Sequence, residues 1–155
     1  MKINKKKFLK NCLVLYPDSS FQNNTYLFDQ IDRLYKMYSI LFDLFTQKVN
    51  PTLLSLGAGS AFVEIMLKIS VECDITIIDH FQMLSNKKDV LSKNGIKCVA
   101  ADLKSWLPIK DSYSFDFVLS SEVCEHLLIS PYKHISFVSM LCSKGSTIIV
   151  STPNV

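Results

Sequence analysis

The sequence predicts an α/β fold, a doubly wound parallel sheet of about five strands with helices on both faces, behind a helical N-terminal extension. Three observations predict it. Strand-like and helix-like segments alternate from Pro51 onward. Most of the strand-like segments are near-continuous apolar runs, as expected of strands buried on both faces. The 155 residues, 48% hydrophobic and 20% charged, suit a single compact core. Strand–helix–strand units close with one hand, which leaves the doubly wound sheet as the simplest topology.

The elements follow in order. Lys5-Lys6-Lys7 accounts for much of the net charge of +3 and reads as a solvated, frayed end more readily than as an arm for nucleic acid or anionic lipid. The segment that follows has no clear assignment, and Pro17-Asp18-Ser19-Ser20 is a turn cluster. Leu27, Ile31, Leu34, Tyr38, Leu41 and Phe45 then recur at helical spacing, as one helix or as two with a joint. Asn50-Pro51 ends that stretch, because proline lacks a backbone donor and restricts the residue before it.

Strand one is Thr52 to Leu56, stopped by Gly57, with a helix from Ala61 to Val71. Strand two is Ile75 to Ile78, stopped by Asp79, and a helical segment carrying Met83, Leu84, Val90 and Leu91 ends at Asn94-Gly95. Ile96 to Ala100 is strand three and Phe115 to Leu119 strand four. Pro131 to Cys142 is the next helix, closed by Ser143-Lys144-Gly145, and Ser146 to Val150 is strand five. The domain reading is therefore a helical extension or lid over residues 1–50 and a sheet domain over 51–155.

Several classes are excluded. The five cysteines are scattered and form no CxxC pair, so neither a zinc site nor a disulfide framework is expected, and a reducing, cytoplasmic setting fits best. The apolar stretch from Tyr26 to Val49 is interrupted by Asp29, Asp32, Arg33, Lys36 and Asp43, so no membrane span is expected. No signal peptide is legible. The modest charge argues against nucleic acid as the partner.

Ligands of doubly wound sheets bind just past the carboxyl ends of the strands, which directs attention to four short segments. After strand one stands Gly57-Ala58-Gly59-Ser60, either a plain turn or a loop that lets a ligand approach the backbone at a helix N-terminus. The dinucleotide fingerprint fails, since its third small residue is replaced by Phe62. After strand two stands Asp79, able to accept from two ribose hydroxyls or to cap a helix. After strand three stand Asp102, a turn residue or an acceptor for an exocyclic amine, and Leu103, a wall for a base. After strand four stand Ser120-Ser121-Glu122 and Val123-Cys124-Glu125-His126-Leu127, more polar groups than a turn requires.

In this order and spacing LLSLGAGSA, IIDHFQML, VAADLKSWLP and FDFVLSSEVCEHL resemble the motifs of class I S-adenosylmethionine-dependent methyltransferases of the small-molecule type, over about two thirds of the chain. The resemblance implies a Rossmann-like fold and S-adenosyl-L-methionine as cofactor. It implies that Gly57, Ala58 and Gly59 pass the methionine part, that Asp79 holds the ribose, and that His80 flanks the adenine. Asp102 would meet the adenine amine beside Leu103, and Ser120 would line the site near the sulfonium. A small-molecule methyl acceptor is the implied partner, with direct in-line transfer. His126, beside Glu125, is the candidate general base, although a structural or cofactor-side role fits the pair as well. Trp106 and Tyr113 are candidate walls of the adenine pocket or packing residues, His134 reads as a surface or partly buried histidine, and the tyrosines of the Tyr26 to Lys48 helix could line a substrate cleft.

There are departures from the pattern. Relatives usually carry an acid where Ser55 stands, helping to hold the cofactor's ammonium, so Ser55→Asp is expected to tighten binding. They usually carry a third glycine where Ala61 stands. Their sheet continues past strand five, so here strand five is expected to be an unguarded edge, with Lys144 ahead of it and Pro153 behind. That leaves marginal solubility, a homodimer through the edge, or a truncated chain as expectations. The competing class is a non-catalytic, methyltransferase-like module that binds cofactor or supports a partner.

Overall fold

The computed structural model describes residues 1–16, 21–104, 114–127 and 129–152. The turn cluster at residues 17–20 and the residues Trp106 and Tyr113 lie outside the described residues. The chain forms two compact units, Met1–Asn50 with Ser60–Cys73, and Pro51–Gly59 with Asp74–Val155.

The first unit holds helices α1 (Lys5–Leu15), α2 (Phe21–Phe45) and α3 (Phe62–Ser70). The N-terminus is not a frayed end. Asn4 caps α1 by accepting from the Lys7 amide, and Lys5 pairs with Asp32. Phe8 and Cys12 are buried, and Phe8 packs its ring against Tyr35 and Tyr38. The periodicity of α2 comes out as one helix of 25 residues. Its tyrosines serve their own unit: the Tyr38 hydroxyl accepts from the Ile3 amide and donates to Ser70 Oγ, and the Tyr35 hydroxyl donates to the Ile3 carbonyl. Ala61 starts α3 at φ 53°, the left-handed region where the resemblance marks glycine.

The second unit is a five-stranded sheet in the order β3-β2-β1-β4-β5, every described pair parallel. The strands are β1 (Thr52–Leu56), β2 (Asp74–Asp79), β3 (Lys97–Ala100), β4 (Phe115–Ser121) and β5 (Cys142–Ser151). Helices α4 (Phe81–Ser85) and α5 (Lys88–Lys93) join β2 to β3, and α6 (Pro131–Met140) joins β4 to β5. The two connections run in opposite directions from the centre, so right-handed crossovers place α4 and α5 on one face and α6 on the other. This is the Rossmann-like architecture expected. β1 is buried on both faces, and Leu54, Leu56, Ile78 and Val118 form a core with Val138 and Leu141.

Most element ends shift by one or two residues from expectation, and three differences are larger or carry a structural cause. The segment after β2 breaks at Asn86-Lys87 into two short helices. β4 runs two residues further, because its ladder with β5 continues to Ser121 opposite Ser151. β5 begins at Cys142 and absorbs the turn expected at Ser143-Lys144-Gly145: Gly145 sits at φ 87°, and the Ser143 and Ser146 hydroxyls donate to the Phe115 carbonyl. Exposed Lys144 therefore lies within this edge strand and discourages further pairing there. Among the described residues no helix is long and apolar enough to cross a membrane.

Candidate functional site

Strand order reverses between β1 and β4, and a cavity of about 520 Å³ opens at the carboxyl ends of the strands there. Its wall comes from all four segments the sequence singled out: Gly57 and Gly59 after β1, Asp79 and His80 at the end of β2, Asp102 and Leu103 after β3, and His126 after β4. Its size is within the range of about 300–1,000 Å³ usual for small-molecule sites.

Gly57 turns the chain at φ 62° and donates its amide to the Ile78 carbonyl at 2.8 Å. A Cβ on Gly57 would stand 2.7 Å from Val123 Cγ2, so the absence of a side chain lets the β4 loop close against the turn. Gly59 also has positive φ, 53°, but a Cβ there meets nothing within 4 Å.

Asp79 organises this loop. It is 8% exposed, and its Oδ2 accepts from the Gly59 amide at 3.1 Å while Oδ1 accepts from the His80 amide at 2.7 Å. It does not cap α4: His80 occupies that position, and its Nδ1 accepts from the Gln82 amide. A carboxylate with two backbone donors is held in place while spare lone pairs remain for a ligand. Lys87 stands near it; burial lowers the Lys87 pKa, and the Asp79 charge works against that shift. Asp102 Oδ1 accepts from the Lys104 amide at 2.9 Å, closing an Asx turn beside Leu103. His126 ends a single turn of 3₁₀ helix, Cys124–His126, largely exposed, with Nε2 4.0 Å from Glu125 Oε1.

Three expected site residues are elsewhere. Ser55 is 1% exposed in the middle of β1, between Ile77 and Leu119 of the flanking strands, and does not line the cavity. Ala58 lies between the two lining glycines without lining the cavity itself. Ser120 is fully buried within β4, and its hydroxyl pairs with His134 Nε2 at 2.8 Å. His134, read from sequence as a bland histidine, is thus fully buried as well. Conversely, Met83 and Lys104 line the cavity without having been expected there, as do Glu122, Val123 and Leu127, which the sequence placed in a candidate segment but gave no individual role. Their positions next to strand ends were the available signal. Among the described residues no group of three or more His, Cys, Asp and Glu is placed to hold a metal ion.

Burial of His134 is expected to make the stability depend on pH. Burial lowers the His134 pKa from its ordinary value, so the folded chain holds the imidazole neutral. The unfolded chain takes up that proton near pH about 6.5. The stability is therefore complete above that pH and is lost as pH falls through the lowered folded value. Thermal midpoints between pH 7.5 and pH 5 should fall for the wild type, and fall less for His134→Gln.

The comparisons agree with this architecture. A sequence profile described as a methyltransferase domain matches residues 54–150, more than half of the chain. The chain belongs to this methyltransferase-domain family. Similar solved structures include an S-adenosylmethionine-dependent methyltransferase from Thiobacillus denitrificans in complex with S-adenosyl-L-homocysteine, with 15% identity and a TM-score of 0.59 over 74% of this chain and 47% of that one. Another is an S-adenosylmethionine-dependent methyltransferase from Aquifex aeolicus, with 15% identity and a TM-score of 0.59 over 96% and 72%. A third is coclaurine N-methyltransferase bound to N-methylheliamine and S-adenosylhomocysteine, with 15% identity and a TM-score of 0.64 over 97% and 45%. The chain thus spans about half the length of the first and third of these. Among curated proteins no sequence matches.

Proposed function

We propose that the chain binds S-adenosylmethionine in this cavity and serves methyl transfer to a small-molecule acceptor. The observation that carries the reading is the convergence of Gly57, Gly59, Asp79, Asp102 and Leu103, from three separate strand ends, on one cavity. The residues fit a nucleoside carrying an amino-acid tail. Asp79, already fixed by two amides, offers its remaining lone pairs to two ribose hydroxyls. Asp102 accepts from the adenine amine, and Leu103 and Met83 supply apolar walls. The Gly57 turn lets backbone rather than side chain meet the ligand. Solved relatives that hold S-adenosylhomocysteine support the same reading.

When bound, the cofactor supplies a methyl group already activated on a sulfonium. The protein's part is then to align an acceptor and keep water out. The loop after β4 is the acceptor-side wall in this reading, with Val123 and Leu127 excluding water and His126 able to take the acceptor's proton. The similar structure of coclaurine N-methyltransferase bound to N-methylheliamine supports a small-molecule acceptor. Transfer of a labelled methyl from S-adenosylmethionine to a panel of small amines, phenols and carboxylates tests the activity. Labelled product with S-adenosylhomocysteine release is expected; cofactor binding without transfer to any acceptor would point instead to a binding module.

A further inference from the structure

Three acidic residues line the cavity among the described residues, and the proposed function employs two of them. Asp79 ends β2 and Asp102 follows β3, on one side of the central strand β1. The third, Glu122, follows β4 on the other side.

Glu122 is held with unusual care. It sits at φ 57°, a left-handed conformation that costs a non-glycine residue about 1–2 kcal/mol and that glycine would adopt freely. Its amide donates to the Ser151 carbonyl at 2.9 Å, and its Oε1 accepts from the Ser151 hydroxyl at 3.1 Å. Ser151 Oγ is in turn 2.8 Å from Ser121 Oγ. The end of β5 therefore fixes both the backbone and the carboxylate of a residue that any turn would make more cheaply with glycine. Strain kept at a cavity wall points to a use for the side chain.

We propose that Glu122 recognises the positively charged amino-acid end of the cofactor, accepting a hydrogen bond from its ammonium group. The assignment rests on the cavity being an S-adenosylmethionine site. The ligand has two chemically different ends. Its nucleoside end asks for hydrogen-bond acceptors and an apolar wall, which the β2 and β3 side provides. Its ammonium loses water on entry and needs an anionic acceptor in exchange. With the nucleoside at Asp79 and Asp102, that end falls across the Gly57 turn, where Glu122 stands. Ser55 is buried inside β1, and Glu125 does not line the cavity.

Calorimetric titrations with S-adenosylhomocysteine and with 5′-methylthioadenosine, which lacks the amino-acid end, separate the claims. Glu122→Gln keeps the shape and the acceptor for Ser151, so it should weaken S-adenosylhomocysteine by about tenfold or more and leave methylthioadenosine within about twofold. Ser151→Ala, which frees the carboxylate, should give a smaller loss confined to the same ligand. Asp79→Ala should weaken both ligands. Equal loss of both ligands in Glu122→Gln, or no loss of S-adenosylhomocysteine, overturns the Glu122 assignment while the cofactor reading stands. A wild-type chain that binds neither ligand overturns the cofactor reading and the assignment with it.

Discussion

Asp79→Ala is expected to weaken S-adenosylhomocysteine binding by about 1.5–3 kcal/mol, because it leaves two ribose hydroxyls without their charged acceptor. The same change removes the acceptor of the Gly59 and His80 amides, so the glycine loop loosens as well. A control separates the two effects. Asp116 Oδ2 accepts from the Thr52 amide at 2.9 Å and from its hydroxyl at 3.0 Å, at the opposite end of β1 from the cavity. Asp116→Ala should lower the thermal midpoint with little effect on affinity. Asp79→Ala should lower affinity even after correction for stability. Equal affinity losses in the two variants would remove the specific role of Asp79.

Gly57→Ala should be the most damaging single methyl addition in the cavity wall. The new Cβ takes a left-handed φ and presses to 2.7 Å from Val123 Cγ2, a stiff β-branched side chain. Strain and overpacking together should destabilise the fold by roughly 2–4 kcal/mol and narrow the cavity. Gly59→Ala meets no neighbour within 4 Å and should carry the backbone term alone. Val123→Ala should therefore restore part of the loss in Gly57→Ala and none in Gly59→Ala. Chemical denaturation of the three single variants and the two double variants measures this coupling. Equal behaviour of the two glycine variants would show that the turn, and not the contact with Val123, sets the requirement.

The sheet was legible because apolar runs and strand-end residues are local signals. β1 comes out with its expected bounds, and residues at the expected strand ends line the cavity. What the sequence hid is set by tertiary pairing. The end of β4 looked like a loop because Ser120 and Ser121 are polar, yet a partner strand extends it. Ser120 then turns from the cavity toward His134, fourteen residues away on a helix, and no spacing rule announces such a pair. The start of β5 was hidden by Gly145 and by serines that bond to the Phe115 carbonyl instead of forming a turn. Glu122 lay in plain view among polar residues. Its role depends on Ser151, twenty-nine residues on, which the sequence does not connect to it.

The central claim is that the nucleoside cofactor sits at the carboxyl ends of β1 to β4. Amide chemical shifts of the labelled chain, followed by NMR while S-adenosylhomocysteine is added, test it most directly. Saturable shifts are expected at Gly57, Gly59, His80, Leu103 and Val123, with the N-terminal ends of the same strands, at Thr52, Asp74 and Asp116, unmoved. No shift up to millimolar ligand, or saturable shifts centred at those opposite strand ends, would contradict it.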